Sequence, residues 1–142
     1  MSDTVYNSGY GWAWMTLCLA LAIHVADEAL TDFLSVYNQA VNALRRRCRF
    51  LPLRTFRFKV WLGGLIAAVV FLFALSPFAF TGARWLAPLA YLFSTFMIIN
   101  GIQHIAASIY MRRLMPGTYS APLLLICAIY LFVHINSQPG FA

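Results

Sequence analysis

The sequence predicts an all-α integral membrane protein, folded as a four-helix bundle in a single transmembrane domain over residues 1–142. Composition is the first observation: 62% of the residues are hydrophobic and 10% are charged, against about 45–50% and about 25% in soluble domains. A soluble domain of this length could not bury so much apolar surface. Four long apolar stretches are the second observation, and the placement of basic residues between them is the third.

Each apolar stretch is judged against the roughly 20 residues that a membrane-spanning helix needs. The first begins with "WAWMTLCLALAI", the second has Pro77 near its end, and the fourth is the shortest. The predicted spans cover residues 12–37, 60–80, 85–110 and 119–135. A basic loop at residues 38–59 joins the first two spans.

The basic residues predict how the spans are oriented. Nine of the ten lysines and arginines lie in the first and third connections, and Arg84 lies in the second. Because loops rich in Lys and Arg stay in the cytoplasm, the loop at 38–59 is predicted to be cytoplasmic. Both termini are then on the non-cytoplasmic side, and we expect an integral protein of a bacterial-type inner (plasma) membrane.

The basic loop mixes arginine with phenylalanine, a pattern that also occurs in segments that bind nucleic acid. Next to a membrane span, the same pattern is typical of a segment that lies on anionic lipid headgroups, where each basic residue contributes about 1 kcal/mol. We therefore expect anionic headgroups as partners, and no nucleic acid. The basic residues of this loop are Arg45, Arg46, Arg47, Arg49, Arg54, Arg57 and Lys59.

Three of the four acidic residues lie in the stretch "LALAIHVADEALTDF", residues 19–33. On a continuous helix, His24, Glu28 and Asp32 would share one face, and Asp27 would border it. Ionisable groups inside a membrane are costly and are usually paired and functional. This face therefore predicts a functional site.

The third span carries a second polar pair, Asn100 and His104, within "NGIQH". Helix rise places Glu28 about 15 Å above Asn38, and His104 about 12 Å above Arg112. Because both spans run in the same direction, these depths match. The two polar faces are therefore expected to meet in the cytoplasmic half of the bundle.

The stretch "PGTYS", residues 116–120, is predicted to be the turn into the fourth span. It would place Tyr119 and Ser120 near the cytoplasmic boundary, where Ser120 could contact substrate or support a ligand. Tyr119 could cap the polar site or could be an ordinary interfacial tyrosine. His134 lies late in the fourth span, toward the outer side, and is a weak candidate for the site.

These motifs together resemble an uncharacterised membrane-protein family that is named for its HXXEE motif. The resemblance rests on His24-x-x-Asp27-Glu28, on Asn100-x-x-x-His104 and on Gly117-Thr118-Tyr119. Asp27 stands where the family has its first Glu, so its shorter side chain reaches less far. The resemblance implies that His24, Glu28, Asn100 and His104 act as one site, and it carries no activity.

Two imidazoles and a carboxylate are suitable ligands for a transition metal. Zinc at a catalytic site commonly has three protein ligands and an open position for water, and iron(II) binds a similar set. We predict zinc or iron held by His24, Glu28 and His104, with Asp27 as a further ligand. The predicted catalytic groups are Glu28, Asp27, Asn100 and Tyr119. Asp32, Asn100 and Ser120 would contact substrate or orient ligands.

The prediction is thus a metal-dependent enzyme, a hydrolase or an oxidoreductase, that acts on a lipid or another apolar small molecule. A metal-free acid/base isomerase or cyclase is an alternative, as is proton- or ion-coupled transport. The polar cluster could also serve helix packing alone, although such hydrogen bonds average only about 0.6 kcal/mol. A homo-oligomer is possible, because Gly63 and Gly64 would allow a second helix to approach closely.

Overall fold

The structure, a computed structural model, describes residues 2–48, 50 and 52–137, with side chains from residue 9 onward. Their fold is all-helical, with no strand among these residues. Arg49 of the predicted basic loop and the two chain ends lie outside the described residues. The helices are α1 (Ser2–Leu30), α2 (Phe33–Arg47), α3 (Phe58–Ala74), α4 (Ser76–Phe80), α5 (Ala87–Met111) and α6 (Ala121–Asn136).

Helix α1 is the centre of the fold, since it packs against α2, α3, α4 and α6. Its buried apolar residues recur every three or four positions, which is the spacing of one helix face. This face and the facing residues of α5 and α6 form a continuous core. The α1 members of that core are Tyr10, Ala13, Trp14, Leu17, Cys18, Ala20, Leu21 and Val25.

The first span ends earlier than the sequence predicts. Helix α1 ends at Leu30. Asp32 has a left-handed backbone conformation (φ 57°, ψ 42°), and this residue separates α1 from α2. The Thr31 hydroxyl donates to the Asp27 carbonyl at 2.6 Å, which satisfies an acceptor in the last turn. The prediction of one continuous helix over 12–37 is therefore wrong.

The predicted loop at 38–59 is also wrong over its first half, which belongs to helix α2. This helix buries Leu34 and Val41 and places Arg45, Arg46 and Arg47 in its last turn. The chain then returns in an extended segment that Asn38 holds against α2. The Asn38 side chain donates to the Phe56 carbonyl at 3.0 Å and accepts from the Phe56 amide at 3.1 Å.

The second apolar stretch is divided into α3 and α4. Pro77 lies in the first turn of α4, and because proline has no N–H it interrupts the helical hydrogen bonds at this point. The Trp14 indole donates to the Leu72 carbonyl at 3.1 Å and so ties α1 to the end of α3.

Helices α5 and α6 pack closely where a glycine allows it. A Cβ at Gly101 would lie 3.1 Å from the Leu125 Cβ and 3.2 Å from the Ala121 carbonyl oxygen. Arg112, with a left-handed backbone, ends α5. A short connection with Gly117 (φ 82°) then reverses the chain into α6.

Within the described part of the chain, three helical segments are long and apolar enough to cross a membrane, namely Gly9–Leu30, Phe58–Phe80 and Arg84–Met111. The fourth predicted span corresponds to α6, whose 16 residues extend about 24 Å, which is less than the roughly 30 Å of a hydrocarbon core. The start of α1 lies beside the ends of α4 and α6, because Gly11 contacts Phe80 and Gly9 contacts His134. The chain therefore runs alternately up and down.

Candidate functional site

The polar face of α1 meets α5 at a buried cluster near the C-terminal end of α1. His24, Glu28 and His104 expose 1%, 7% and 6% of their surface. One carboxylate oxygen, Glu28 Oε1, lies 3.6 Å from His24 Nε2 and 3.1 Å from His104 Nε2. The predicted meeting of the two helices is confirmed, although α1 ends at Leu30 and not at Tyr37.

The backbone carbonyl of Pro116 fixes the tautomer of His104. This carbonyl lies 2.7 Å from His104 Nδ1, and because a carbonyl oxygen can only accept, the proton is on Nδ1. In the neutral ring the lone pair is therefore on Nε2, which is the atom that faces Glu28.

The orientation of His24 is held by a chain of two hydrogen bonds. Ser120 Oγ lies 2.8 Å from His24 Nδ1, and the same hydroxyl donates to Asp27 Oδ2 at 2.7 Å. Since the hydroxyl proton goes to the carboxylate, the oxygen accepts from His24 Nδ1–H. Nε2 of His24 is left as an acceptor, and the Asn100 amide nitrogen donates to it at 3.0 Å.

The two histidines are thus held in the same way. Each donates through Nδ1 to a group outside the cluster and presents Nε2 to Glu28. Metal-binding histidines in proteins show this pattern, in which the second ring nitrogen donates to a carbonyl, a carboxylate or water. Here the acceptors are the Pro116 carbonyl and the Ser120 hydroxyl.

Gly117 lets the turn before α6 lie directly against the cluster. A Cβ there would come within 2.6 Å of His104 Cε1 and 3.1 Å of Glu28 Cγ, and its φ of 82° favours glycine. Its N–H donates to the Thr31 hydroxyl at 3.2 Å. Thr118, the next residue, contacts the Ser108 hydroxyl at 2.6 Å. The turn is therefore fixed to both α1 and α5.

Asp27 has a different position from the one predicted. It lies outside the converging donor atoms, and its Oδ2 accepts from both the amide and the hydroxyl of Ser120, at 2.9 and 2.7 Å. It therefore satisfies an amide at the start of α6 and orients His24 through Ser120. The shorter Asp in place of the family's Glu fits this contact.

Two predicted residues do not join the cluster. Asp32 is exposed in the break between α1 and α2, so the prediction that it extends the His24–Glu28 face is wrong. Tyr119 is 70% exposed, and the structure does not bring it over the site as a cap. His134 lies beside Gly9 and Tyr130, at the opposite end of the bundle.

Several contacts of the site were not predicted from the sequence. The Pro116 carbonyl and the Thr31 hydroxyl are common groups that carry no sequence signal. Phe33 packs on the His104 ring, with centroids 5.4 Å apart, but its position depends on the helix break. The glycine after Pro116 was a usable signal, since a glycine required by its φ often marks close approach.

The three donor atoms of His24, Glu28 and His104 lie within 4.8 Å of one another. Two ligands on one tetrahedral zinc, each about 2.0–2.1 Å from the ion, are separated by about 3.4 Å. The two Glu28 distances lie close to this value, whereas a metal ion would also have to replace the Asn100 amide that donates to His24 Nε2 at 3.0 Å. A cavity of about 520 Å³ also opens onto His24 and Glu28.

Comparison with protein families agrees with this arrangement of motifs. Residues 14–131 match the family described as "Protein of unknown function with HXXEE motif". Because the match covers most of the chain, the protein belongs to this HXXEE family. Searches of curated proteins and of solved structures gave no match.

Proposed function

We propose that this protein is a metal-dependent intramembrane enzyme that acts on a lipid or another apolar molecule. The observation that supports the proposal is the convergence of two imidazole Nε2 atoms and one carboxylate oxygen within 4.8 Å, all buried. Both imidazoles are oriented through Nδ1, as ligands are. The cavity that reaches the cluster is largely lined by apolar side chains, which suits an apolar substrate.

In this proposal, His24, Glu28 and His104 hold zinc or iron, and Asn100 contacts a ligand or substrate. A bound ion would supply a Lewis acid and would acidify a coordinated water. Glu28 can take a proton at the site, because its ionised carboxylate is an acceptor that lies within 3.6 Å of both Nε2 atoms. Asp27 and Ser120 keep His24 in the tautomer that binds.

The protein would lie in a plasma-type membrane, with residues 1–142 as a single domain. The region from α2 to Lys59 would lie on the cytoplasmic surface against anionic headgroups, because nearly all basic residues are near that end. Both termini would then lie outside. A Cβ added at Gly63 or Gly64 on α3 would meet no described atom within 4 Å, so a second copy could pack there.

The 3.1 Å contact between Glu28 and His104 favours one second candidate. Without metal, the two groups form an acid/base pair that could isomerise an apolar molecule or relay protons. Both candidates use the same residues, and the presence of stoichiometric metal separates them.

Metal content tests the proposal directly. We expect about one zinc or iron per chain in detergent-purified protein, or uptake after dialysis against either metal. Glu28→Gln and His104→Gln should weaken metal binding strongly. The loss should exceed the factor of about 10–100 that is typical of groups that only orient a ligand. His134→Gln is the matched control, because this histidine lies at the other end of the bundle.

Absence of metal in folded wild-type protein, with no uptake on adding zinc or iron, would contradict the metal proposal. Equal loss of metal in the His134→Gln control would also contradict it, since binding would then depend on folding rather than on the cluster. Activity or proton flux that depends on Glu28 without metal would favour the second candidate.

A further inference from the structure

Helices α3 and α5 leave a slot between them on the side of α1. Helix α3 packs on α1 and continues into α4, while its contact with α5 is marginal at most. The cavity of about 520 Å³ fills this slot. Its walls are Trp61 and Leu65 of α3 and Phe96 of α5, and its inner end is formed by His24 and Glu28.

The slot has a size and a position that suit a ligand from the bilayer. Its volume falls within the range of about 300–1,000 Å³ that is usual for small-molecule binding sites. Phe96 and Ile99 are among the exposed residues of α5, and both line the slot. In a membrane, this opening would face hydrocarbon, so a chain could enter sideways without crossing water.

Charge limits the kind of headgroup that the slot can take. Among the described residues that line it, none is lysine or arginine, and Glu28 supplies a carboxylate. While the site holds no metal ion, a phosphate headgroup would meet this carboxylate without a lysine or arginine to pair with, which is costly in a low-dielectric site. The polar groups that remain at the inner end are neutral amides, those of Asn100 and Gln103.

The side chain of Gln103 also indicates a ligand in the slot. It lines both the large slot and a neighbouring cavity of about 150 Å³ beside His104. Its side chain is exposed and makes no hydrogen bond to any other described residue. In a membrane that surface would face hydrocarbon, where an unpaired amide is unfavourable, whereas a hydroxyl or carbonyl of a ligand would satisfy it.

We propose that the slot between α3 and α5 binds a neutral amphiphile with a single hydrocarbon chain, and that Gln103 binds its headgroup. The chain lies between Trp61, Leu65 and Phe96, and the headgroup is an alcohol, ester or aldehyde oxygen near Glu28. The idea that this amphiphile is the substrate rests on the proposed function, whereas the proposal that the slot binds it does not.

Photolabelling tests the slot with a defined probe. The probe is a sixteen-carbon alcohol with a diazirine in its chain, compared with the phosphate monoester of the same chain, on full-length protein in nanodiscs. We expect the alcohol to label slot residues and to compete with unlabelled alcohol. With chelator present, the phosphate should label them about tenfold less, a difference that corresponds to about 1.4 kcal/mol.

Two pairs of variants make the test specific. Leu65→Trp fills the slot and should abolish labelling, whereas Ile66→Trp, on the exposed side of the same helix, should leave it unchanged. Gln103→Leu should reduce alcohol labelling about tenfold. Ile102→Leu, at the next exposed position of α5, is its control.

Equal labelling by alcohol and phosphate in chelator, or labelling that Leu65→Trp does not reduce, would overturn the proposal. The experiment is run with chelator and again with zinc, so that the two proposals fail separately. Labelling that persists in chelator supports the slot even if the protein binds no metal. Stoichiometric zinc without slot labelling contradicts the slot and leaves the metal centre standing.

Discussion

The two halves of α1 are built from different chemistry although they belong to one helix. From Tyr10 to Leu21 the buried face is mostly apolar and packs into the core. From His24 to the end of α1 and Thr31 just after it, the polar groups are an imidazole, two carboxylates and a hydroxyl, each with a hydrogen-bond or ion-pair partner. The first half stabilises the bundle, and the second half carries the site.

This difference favours the proposal that the polar half has a role other than helix packing. Hydrogen bonds between membrane helices contribute about 0.6 kcal/mol on average, so the polar cluster adds little to packing. Apolar residues in the same positions would avoid the cost of burying a carboxylate. The polar half is instead arranged so that Nε2 of both histidines faces Glu28.

Trp14→Ala, in the apolar half of α1, should lower the stability of the fold more than any other substitution considered below. Trp14 is fully buried and its indole donates to Leu72. We expect a loss of about 3 kcal/mol, the low end for Trp→Ala in a core, because lipid already solvates apolar surface. Trp12→Ala, which removes an exposed ring, is the control. Denaturation should show the difference, while the metal content of the folded fraction stays unchanged.

Gly117→Ala should damage the polar half while sparing the apolar half. The new Cβ would displace His104, and the left-handed backbone adds about 1–2 kcal/mol of strain. We expect zinc affinity to fall about 10–100-fold, the range for groups that orient a ligand. Gly64→Ala is the control, since its Cβ meets nothing within 4 Å. Equal zinc affinity in the two variants would show that the turn does not position His104.

Asp27→Asn should weaken the site by less, near about tenfold in zinc affinity. The amide can still accept one hydrogen bond from Ser120, but it lacks the charge that fixes the hydroxyl proton. Asp32→Asn removes an exposed carboxylate and is the matched control. Competition with a fluorescent zinc chelator measures both. An Asp27 variant that binds zinc like the control would remove Asp27 from the site.

Replacing Arg45, Arg46 and Arg47 with glutamine should have the smallest effect for each residue. Each arginine near an anionic surface contributes about 1 kcal/mol, and salt should screen this contribution. Crosslinking of the α2 region to anionic lipids in nanodiscs would measure it, with Arg84→Gln as the control. Metal content should not change. A loss of metal would mean that α2 also supports the site.

The sequence was sufficient for the helical class and for the pairing of the two polar faces. Residues at i and i+4 define a face whatever its tertiary contacts, so His24 with Glu28 and Asn100 with His104 were predictable. The depth calculation predicted correctly that the polar faces of the first and third spans meet, although the predicted first span extended past the end of α1 at Leu30. Hydropathy alone could not show that the helix ends, since Ala29 and Leu30 are apolar like most of α1.

The break at Thr31 and Asp32 did leave a signal in the sequence. Thr and Asp are preferred before a helix, and the segment after them is basic and amphipathic rather than uniformly apolar. No sequence pattern could predict which side chains form hydrogen bonds between different helices. The Asp27–Ser120–His24 chain joins residues 93 and 96 positions apart, and the direction of Tyr119 away from the site depends on how α6 rotates in the bundle.

X-ray absorption spectroscopy of the zinc-loaded protein is the sharpest test of the metal centre, because it reads the ligands themselves. We predict two imidazole nitrogens with oxygen donors at about 2.0–2.2 Å and no sulfur, and one imidazole fewer in any zinc retained by His104→Gln. Sulfur donors at about 2.3 Å, or a shell of oxygens without imidazole, would contradict this prediction and place the metal away from His24, Glu28 and His104.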